Sequence, residues 1–193
     1  MDKNVWANIE IGNKEAYSEA YIFYYKKLYN YGKKITDDIA MIEDSISEVF
    51  IMLWKNRATL HNISSPHAYI FSCFRNNVFK KIKSAKLIHF YKVDDQTEVQ
   101  FAIDSVIIQK ETDVVLKAKI ERALQQLTDR QREAIFLRFY EGLSYAEIAG
   151  VMNISVKATY KIMARALTEL KETFSIPKVL LMILLRQLLV TNL

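Results

Sequence analysis

Hydrophobic and polar positions along this chain repeat with the period of an α-helix over most of its length. Residues 14–35 (KEAYSEAYIFYYKKLYNYGKKI) predict a helix whose inward stripe is Ala16, Ala20, Phe23, Tyr24 and Leu28. Tyrosine crowds this segment. Most of the rings are read as core with hydroxyls reaching water, the alternative being an aromatic surface for a partner. Residues 37–57 (DDIAMIEDSISEVFIMLWKNR) place Ile42, Ile46, Val49, Phe50, Leu53 and Trp54 at i, i+4, i+7, i+8, i+11 and i+12, a stripe wide enough for a bundle core. The opposite face carries Asp44, Ser47, Glu48, Met52 and Lys55. Ser65-Pro66 marks a further helix start, with proline at the first helical position of PHAYIFSCFRNNVFKKIK.

Residues 85–111 lose the helical period and include Asp94, Asp95 and Glu98, so they are read as a flexible linker. Beyond it, residues 123–140 (ALQQLTDRQREAIFLRFY) have Leu124, Leu127, Ile135, Phe136 and Phe139 as their apolar set. Thr128 starts a capped turn there, and Glu141-Gly142 closes the helix with glycine at its end. Residues 144–170 (SYAEIAGVMNISVKATYKIMARALTEL) then read as two short helices around a tight turn. Ser144 and Glu147 have the spacing of a capping box, and Tyr145, Ile148, Ala149 and Met152 form the first helix's inner face. Asn153 belongs to the few residue types that tolerate the left-handed conformation a sharp turn needs. Ser155 can cap the second helix, whose inward positions are Val156, Thr159, Met163, Ala166, Leu167 and Leu170. Its outward positions are Lys157, Tyr160, Lys161, Ala164 and Arg165. This is the layout of a helix-turn-helix presenting its second helix to a DNA major groove; the plain alternative is a helical hairpin with a solvated basic face.

Composition narrows the picture. Only four Gly and two Pro in 193 residues argue for long uninterrupted helices and against a turn-rich β fold. The expected architecture is all-α, two small domains: an N-terminal helical bundle over 1–88 and a four-helix domain with the helix-turn-helix over 112–175, joined by a linker over 89–111. The net charge of +5 is modest, so the distribution of basic groups matters more than their sum. From Lys55 to Lys92 there is no Asp or Glu, while Lys55, Arg57, Arg75, Lys80, Lys81, Lys83, Lys86 and Lys92 fall in the same interval among Tyr69, Phe71, Phe74, Phe79, Phe90 and Tyr91. Lysines release counterions from phosphates and aromatics stack on unpaired bases, so this stretch is read as a nucleic-acid contact, with Phe71 and Phe74 core nonetheless. The tail 176–193 (IPKVLLMILLRQLLVTNL) has seven successive apolar residues from Val179 to Leu185, too few to span a bilayer. A helix packed on the second domain is its first reading, ahead of an interfacial anchor or a docking strip.

Enzyme chemistry has no footing in these residues. His61, His67 and His89 lie in separate contexts, and with Cys73 alone they make no zinc spacing. No glycine-rich phosphate loop or nucleophile elbow is present. Neither catalytic residues, metal, cofactor nor a small-molecule substrate is expected. The opening MDKNVWANIEIGNKEAY lacks the apolar core of a signal peptide, so a cytoplasmic protein is expected.

The run LTDRQREAIFLRFYEGLSYAEIAGVMNISVKATYKIMARALTELK resembles the promoter-binding region 4 of bacterial sigma factors, and the first half of the chain resembles their region 2. That two-part plan is similar to the extracytoplasmic-function (ECF) type, over nearly the whole chain except the tail. The resemblance implies a factor that binds core RNA polymerase and directs it to promoter DNA. EDSISEVFIMLW resembles the region 2.2 helix, which implies a polymerase contact at Asp44, Ser47, Glu48, Ile51, Met52 and Lys55. PHAYIFSCFRNNVFKKIK resembles regions 2.3–2.4, where the helix and the loop before it open the −10 element and capture a flipped base. By position this implicates Leu60 and His61 in the loop, Arg75 and Asn76 at the base pocket, and Lys80, Lys81 and Lys83 on backbone phosphates. The −35 element would be read as duplex through Lys157, Tyr160, Lys161, Ala164 and Arg165, with Arg165 on a base and Lys157 and Lys161 on phosphates. Ala158 and Ile162 stand where the family usually has threonine and often arginine, and Asn153 replaces a common glycine. The acidic linker of the family, which threads the polymerase channels, is matched only loosely. The resemblance also implies an anti-sigma partner. Two rival readings are a helix-turn-helix transcription regulator that needs no polymerase, with the first domain a sensor or dimer module, and a helical adaptor that binds no DNA.

Overall fold

The computed structural model describes residues 3–89 and 123–174, which fall in two compact units, Met1–Val99 and Gln100–Leu193. Among the described residues every regular element is helical. The expected tail over 176–193 and residues 90–111 of the expected linker lie outside the described residues; residues 85–89, expected to lose the helical period, instead continue the helix that starts at Pro66.

In the first unit, α1 (Lys3–Glu10), α2 (Lys14–Ile35), α3 (Ile39–Lys55) and α4 (Pro66–His89) are joined by short connections, with a 3-10 segment at Arg57–Asn62 before α4. Each start has a local cause. The Asn13 side chain accepts from the Ala16 amide at 2.7 Å, Asp38 from Met41 at 2.9 Å, and Ser65 from Ala68 at 3.3 Å, just ahead of Pro66. Gly12, at φ +88°, makes the bend between α1 and α2. The core interleaves Ala20, Tyr24, Leu28 and Tyr31 of α2 with Ile42, Ile46, Phe50 and Leu53 of α3 and Ile70, Phe71, Phe74 and Val78 of α4, all almost fully buried. Backbones come closest at Gly32: a Cβ there would lie 2.8 Å from Ile42 Cγ2 and 3.0 Å from Phe74 Cζ. Two expected core positions are corrected. Phe23 is 40% exposed, because the buried stripe runs through 16, 20, 24, 28, 31 and 35 and leaves Phe23 on the flank, where the Lys27 ammonium covers its ring at 5.6 Å. Trp54 is half-buried, held between Tyr17 at 4.9 Å and the Arg57 guanidinium at 4.7 Å.

In the second unit, a helical turn over 123–126 ends at Leu127, and Thr128 restarts the chain as α5 (Asp129–Ile135). The restart is a full capping box: Gln131 Oε1 accepts from the Thr128 amide at 2.7 Å while Thr128 Oγ1 accepts from the Gln131 amide at 3.4 Å. Helix α5 runs on into a π-turn, Phe136–Tyr140, whose wider ring brings Phe136, Leu137 and Phe139 all into the core. Gly142, at φ +74°, turns the chain toward α6 (Tyr145–Met152), and α7 (Val156–Phe174) follows. No described helix is long and apolar enough to cross a membrane.

Candidate nucleic-acid interface

The helix-turn-helix of the second unit is assembled from local contacts. Ser144 Oγ accepts from the Glu147 amide at 3.2 Å and Glu147 Oε2 accepts from the Ser144 amide at 2.7 Å, closing the expected capping box. Asn153 adopts φ 53°, ψ 49°, the left-handed conformation, and the Ile154 amide reaches back to the Ala149 carbonyl at 3.0 Å, satisfying an end-of-helix acceptor. Ser155 Oγ accepts from the Ala158 amide at 3.1 Å and starts α7. Thr159, Met163, Ala166, Leu167 and Leu170 turn inward, and Lys157, Tyr160, Lys161, Ala164 and Arg165 stand exposed on the other side.

Val156, expected inward, is 43% exposed: as the first helical residue its side chain leans toward a turn that does not exist. Tyr145 is half-buried and props the outward face, its ring meeting Tyr160 edge-on at 4.5 Å while the Arg138 guanidinium covers it at 5.2 Å. Tyr160 therefore presents a braced ring. Sequence periodicity counted Tyr145 as core and had no signal for the role of Arg138.

In the first unit the expected strand-contacting residues divide into three groups. Asn76, Lys80 and Lys83, spaced i, i+4 and i+7, share one exposed face of α4. Arg75 lies beside them, half-buried, with its guanidinium 4.2 Å from the centre of the Phe79 ring. Lys81 faces the other way. It makes a short ion pair with Asp44 and a second with Glu48 at 3.1 Å, and Asn77 donates to Glu48 at 2.6 Å. Asp44 and Glu48 were expected on a protein-docking face and Lys81 on a nucleic-acid face; folding joins all three at the seam of α3 and α4. Asn77, one residue from the Asn76 singled out in sequence, has its amide committed to this seam. Its hydrogen bond, with the Lys81 ammonium, holds the Glu48 carboxyl below the usual range against partial burial and the charge of Asp44. Partial burial works against the Lys81 ammonium, yet the two carboxylates outweigh it and raise its pKa.

The loop before α4 is the third group. Leu60 is 5% exposed, so in this structure its side chain anchors the loop from beneath while the neighbouring His61 stands outside. His61 is exposed and its Nδ1 lies 2.6 Å from Glu10 Oε1 of α1. Of the docking face, Ser47, Ile51 and Lys55 are exposed with Asp44 and Glu48, while Met52 is half-buried. Ile51, at 53% exposure, is an exposed apolar side chain one helical turn from Glu48 and from Lys55. Among the described residues no cluster of three or more His, Cys, Asp or Glu could hold a metal ion.

Two family models match this chain, Sigma-70 region 2 over residues 21–87 and Sigma-70 region 4 over residues 117–170, together more than half of its length. The chain is an ECF-type sigma factor. The ECF RNA polymerase sigma factor SigL of Mycobacterium tuberculosis is 27% identical over 153 residues, covering 72% of this chain and 80% of SigL. The ECF factor SigK of Mycobacterium bovis is 20% identical over 173 residues, covering 85% of this chain and 88% of SigK. The fold is that of two solved structures at 19% identity. The sigma factor RpoE in complex with the anti-sigma factor NepR from Bartonella quintana superposes at a TM-score of 0.57, covering 82% of this chain and 96% of that one. CnrH in complex with the cytosolic domain of CnrY gives 0.52, covering 90% and 97%. The match to region 2 begins at Tyr21, so α1 of this sigma factor lies ahead of it.

Proposed function

We propose that this sigma factor binds core RNA polymerase and directs it to its own class of promoters, with the labour divided between its two halves. The single observation that carries this reading is the pairing of a region 2 match with a region 4 match on one chain, the second containing a capped helix-turn-helix with an outward row of cations. Residues 1–88 form the half that meets polymerase and the −10 element, 89–111 the linker and 112–175 the half that reads the −35 element as duplex.

On α7, Arg165 takes a base edge, where a bidentate contact discriminates by about 1–3 kcal/mol. Lys157 and Lys161 hold phosphates, and Tyr160 and Ala164 line the groove between them. On the first unit, Asp44, Ser47, Glu48, Ile51, Met52 and Lys55 meet polymerase: carboxylates take partner arginines and Ile51 supplies apolar burial. Asn76, Lys80 and Lys83, with Arg75 behind them and His61 at the loop, meet the opened −10 strands.

Promoter selection requires no catalytic group of its own, and the work is done in the cytoplasm where polymerase is. An anti-sigma protein is the expected inhibitory partner, by analogy with RpoE, which was solved with NepR. The test is reconstitution: purified chain added to core polymerase should bind one to one and yield transcripts from a promoter set that core alone ignores. Transcription from the same starts with and without the chain would defeat the reading, and tight dimeric binding to duplex in the absence of polymerase would favour the regulator instead.

A further inference from the structure

The loop that precedes α4 is pinned at three points. Arg57 donates to the Trp54 carbonyl at 2.9 Å and lies over that residue's ring; Leu60 is sunk in the core; and His61 Nδ1 meets Glu10 Oε1 at 2.6 Å, across fifty-one residues of sequence. The first two anchors hold backbone. The third holds the one side chain of the loop that carries a ring with a hydrogen-bonding edge. Glu10 belongs to α1, and it brings a carboxylate to a stretch, Lys55 to Lys92, that has none of its own.

The His61 side chain is 58% exposed, and an exposed imidazole without a partner samples several rotamers. A carboxylate bonded to one ring nitrogen sets both the orientation of the ring and the site of its proton. With Nδ1–H committed to Glu10, Nε2 is the nitrogen left for a ligand, aimed from a fixed loop. Asn56, Thr59 and Asn62 of the same loop are also exposed, with the Thr59 hydroxyl donating to the Asn56 carbonyl at 2.9 Å. We propose that Glu10 is a positioning residue for −10 recognition: it fixes the His61 ring so that the loop favours one base at one position of the opened strand. The inference rests on the reading of this loop as a −10 contact.

Two measurements test it. In the full-length chain labelled with 15N, the imidazole shifts should report an Nδ1–H ring in the wild type and lose that bias in Glu10→Ala, whether or not transcription is affected. Holoenzyme reconstituted from core polymerase and this chain is then given a promoter library randomised across both elements, and base enrichment is read from the transcripts. Glu10→Ala and His61→Ala should flatten the same −10 position by about tenfold and leave the −35 preferences alone. Glu10→Gln, whose amide oxygen still accepts from Nδ1–H, should keep the preference. If Glu10→Ala lowers yield evenly across the library with the base preferences intact, Glu10 is only structural and the proposal is overturned. If His61→Ala flattens a position and Glu10→Ala does not, the positioning role alone fails. If His61→Ala changes no preference, the reading of the loop fails and this inference with it.

Discussion

The Lys81 ammonium of α4 lies 3.1 Å from the Glu48 carboxylate of α3, so a side chain expected on DNA and one expected on polymerase are partners within one unit. Neither group is deeply buried; the Lys81 side chain is 22% exposed and that of Glu48 49%. Surface pairs of this kind contribute about 0–1 kcal/mol, so the contact matters less for holding the fold than for where its charges stand.

Titration exposes it. The Glu48 carboxyl is held down by Asn77 first and by Lys81 second. A carboxylate depressed in the folded state stabilises at neutral pH, and that contribution is lost as pH falls through the depressed value, on the acid side of the ordinary carboxylate range. Asn77→Ala should move the Glu48 midpoint upward, toward that range, in a carboxyl 13C titration. A midpoint that does not move would show that the amide does not hold the carboxylate.

The exposed face of α7 separates specificity from charge. Lys161→Ala should weaken promoter binding by the holoenzyme at all sequences alike and reduce the slope of log affinity against log salt by about 0.9. Arg165→Ala should instead relax preference at one −35 position, by about 1–3 kcal/mol. Binding measured on a −35 substitution series at two or more salt concentrations distinguishes the two; equal behaviour of the two variants would refute the division of roles.

Gly32 tests the closest helix approach. In mid-helix, alanine is favoured over glycine by about 1 kcal/mol in propensity alone. The added Cβ, however, would sit 2.8 Å from Ile42 and 3.0 Å from Phe74, both fully buried. Overpacking of this kind costs about 1–3 kcal/mol, so Gly32→Ala should destabilise the first unit on balance, seen as a lower urea midpoint. A raised midpoint would mean that the α2–α3–α4 junction yields.

Asn153 is the counterpart in the second unit. Its left-handed backbone costs a Cβ-bearing residue without a short polar side chain about 1–2 kcal/mol. Asn153→Ala should therefore lower stability by about 1 kcal/mol while Asn153→Gly is neutral or slightly stabilising, as read by thermal melting. Loss of stability in the glycine variant would point to a side-chain role beyond the turn.

Much of this was legible in sequence wherever the deciding interaction spans a few residues. Ser144 with Glu147, Thr128 at a restart, Ser65 before Pro66 and Asn153 at the turn all act through amides within five positions. The apolar stripes of α3 and α7 were equally plain, because a 3.6-residue period places one face against a partner whatever the partner is. The chain alone thus determined most of its helices, the caps at Thr128, Ser144 and Ser155, the helix-turn-helix and the outward row Lys157, Tyr160, Lys161, Ala164 and Arg165. Helix α1, the caps Asn13 and Asp38 and the π-turn after α5 carried no signal that was read. The chain could not say which helix flank a neighbour would cover, and so Phe23, Trp54 and Val156 were placed fully inside. Nor could it pair Glu10 with His61 or Lys81 with Asp44 and Glu48, since those contacts join residues 51, 37 and 33 positions apart. Distance along the chain carries no record of which side chains meet across a seam; the crossing of packed helices decides that, and only the tertiary structure contains it.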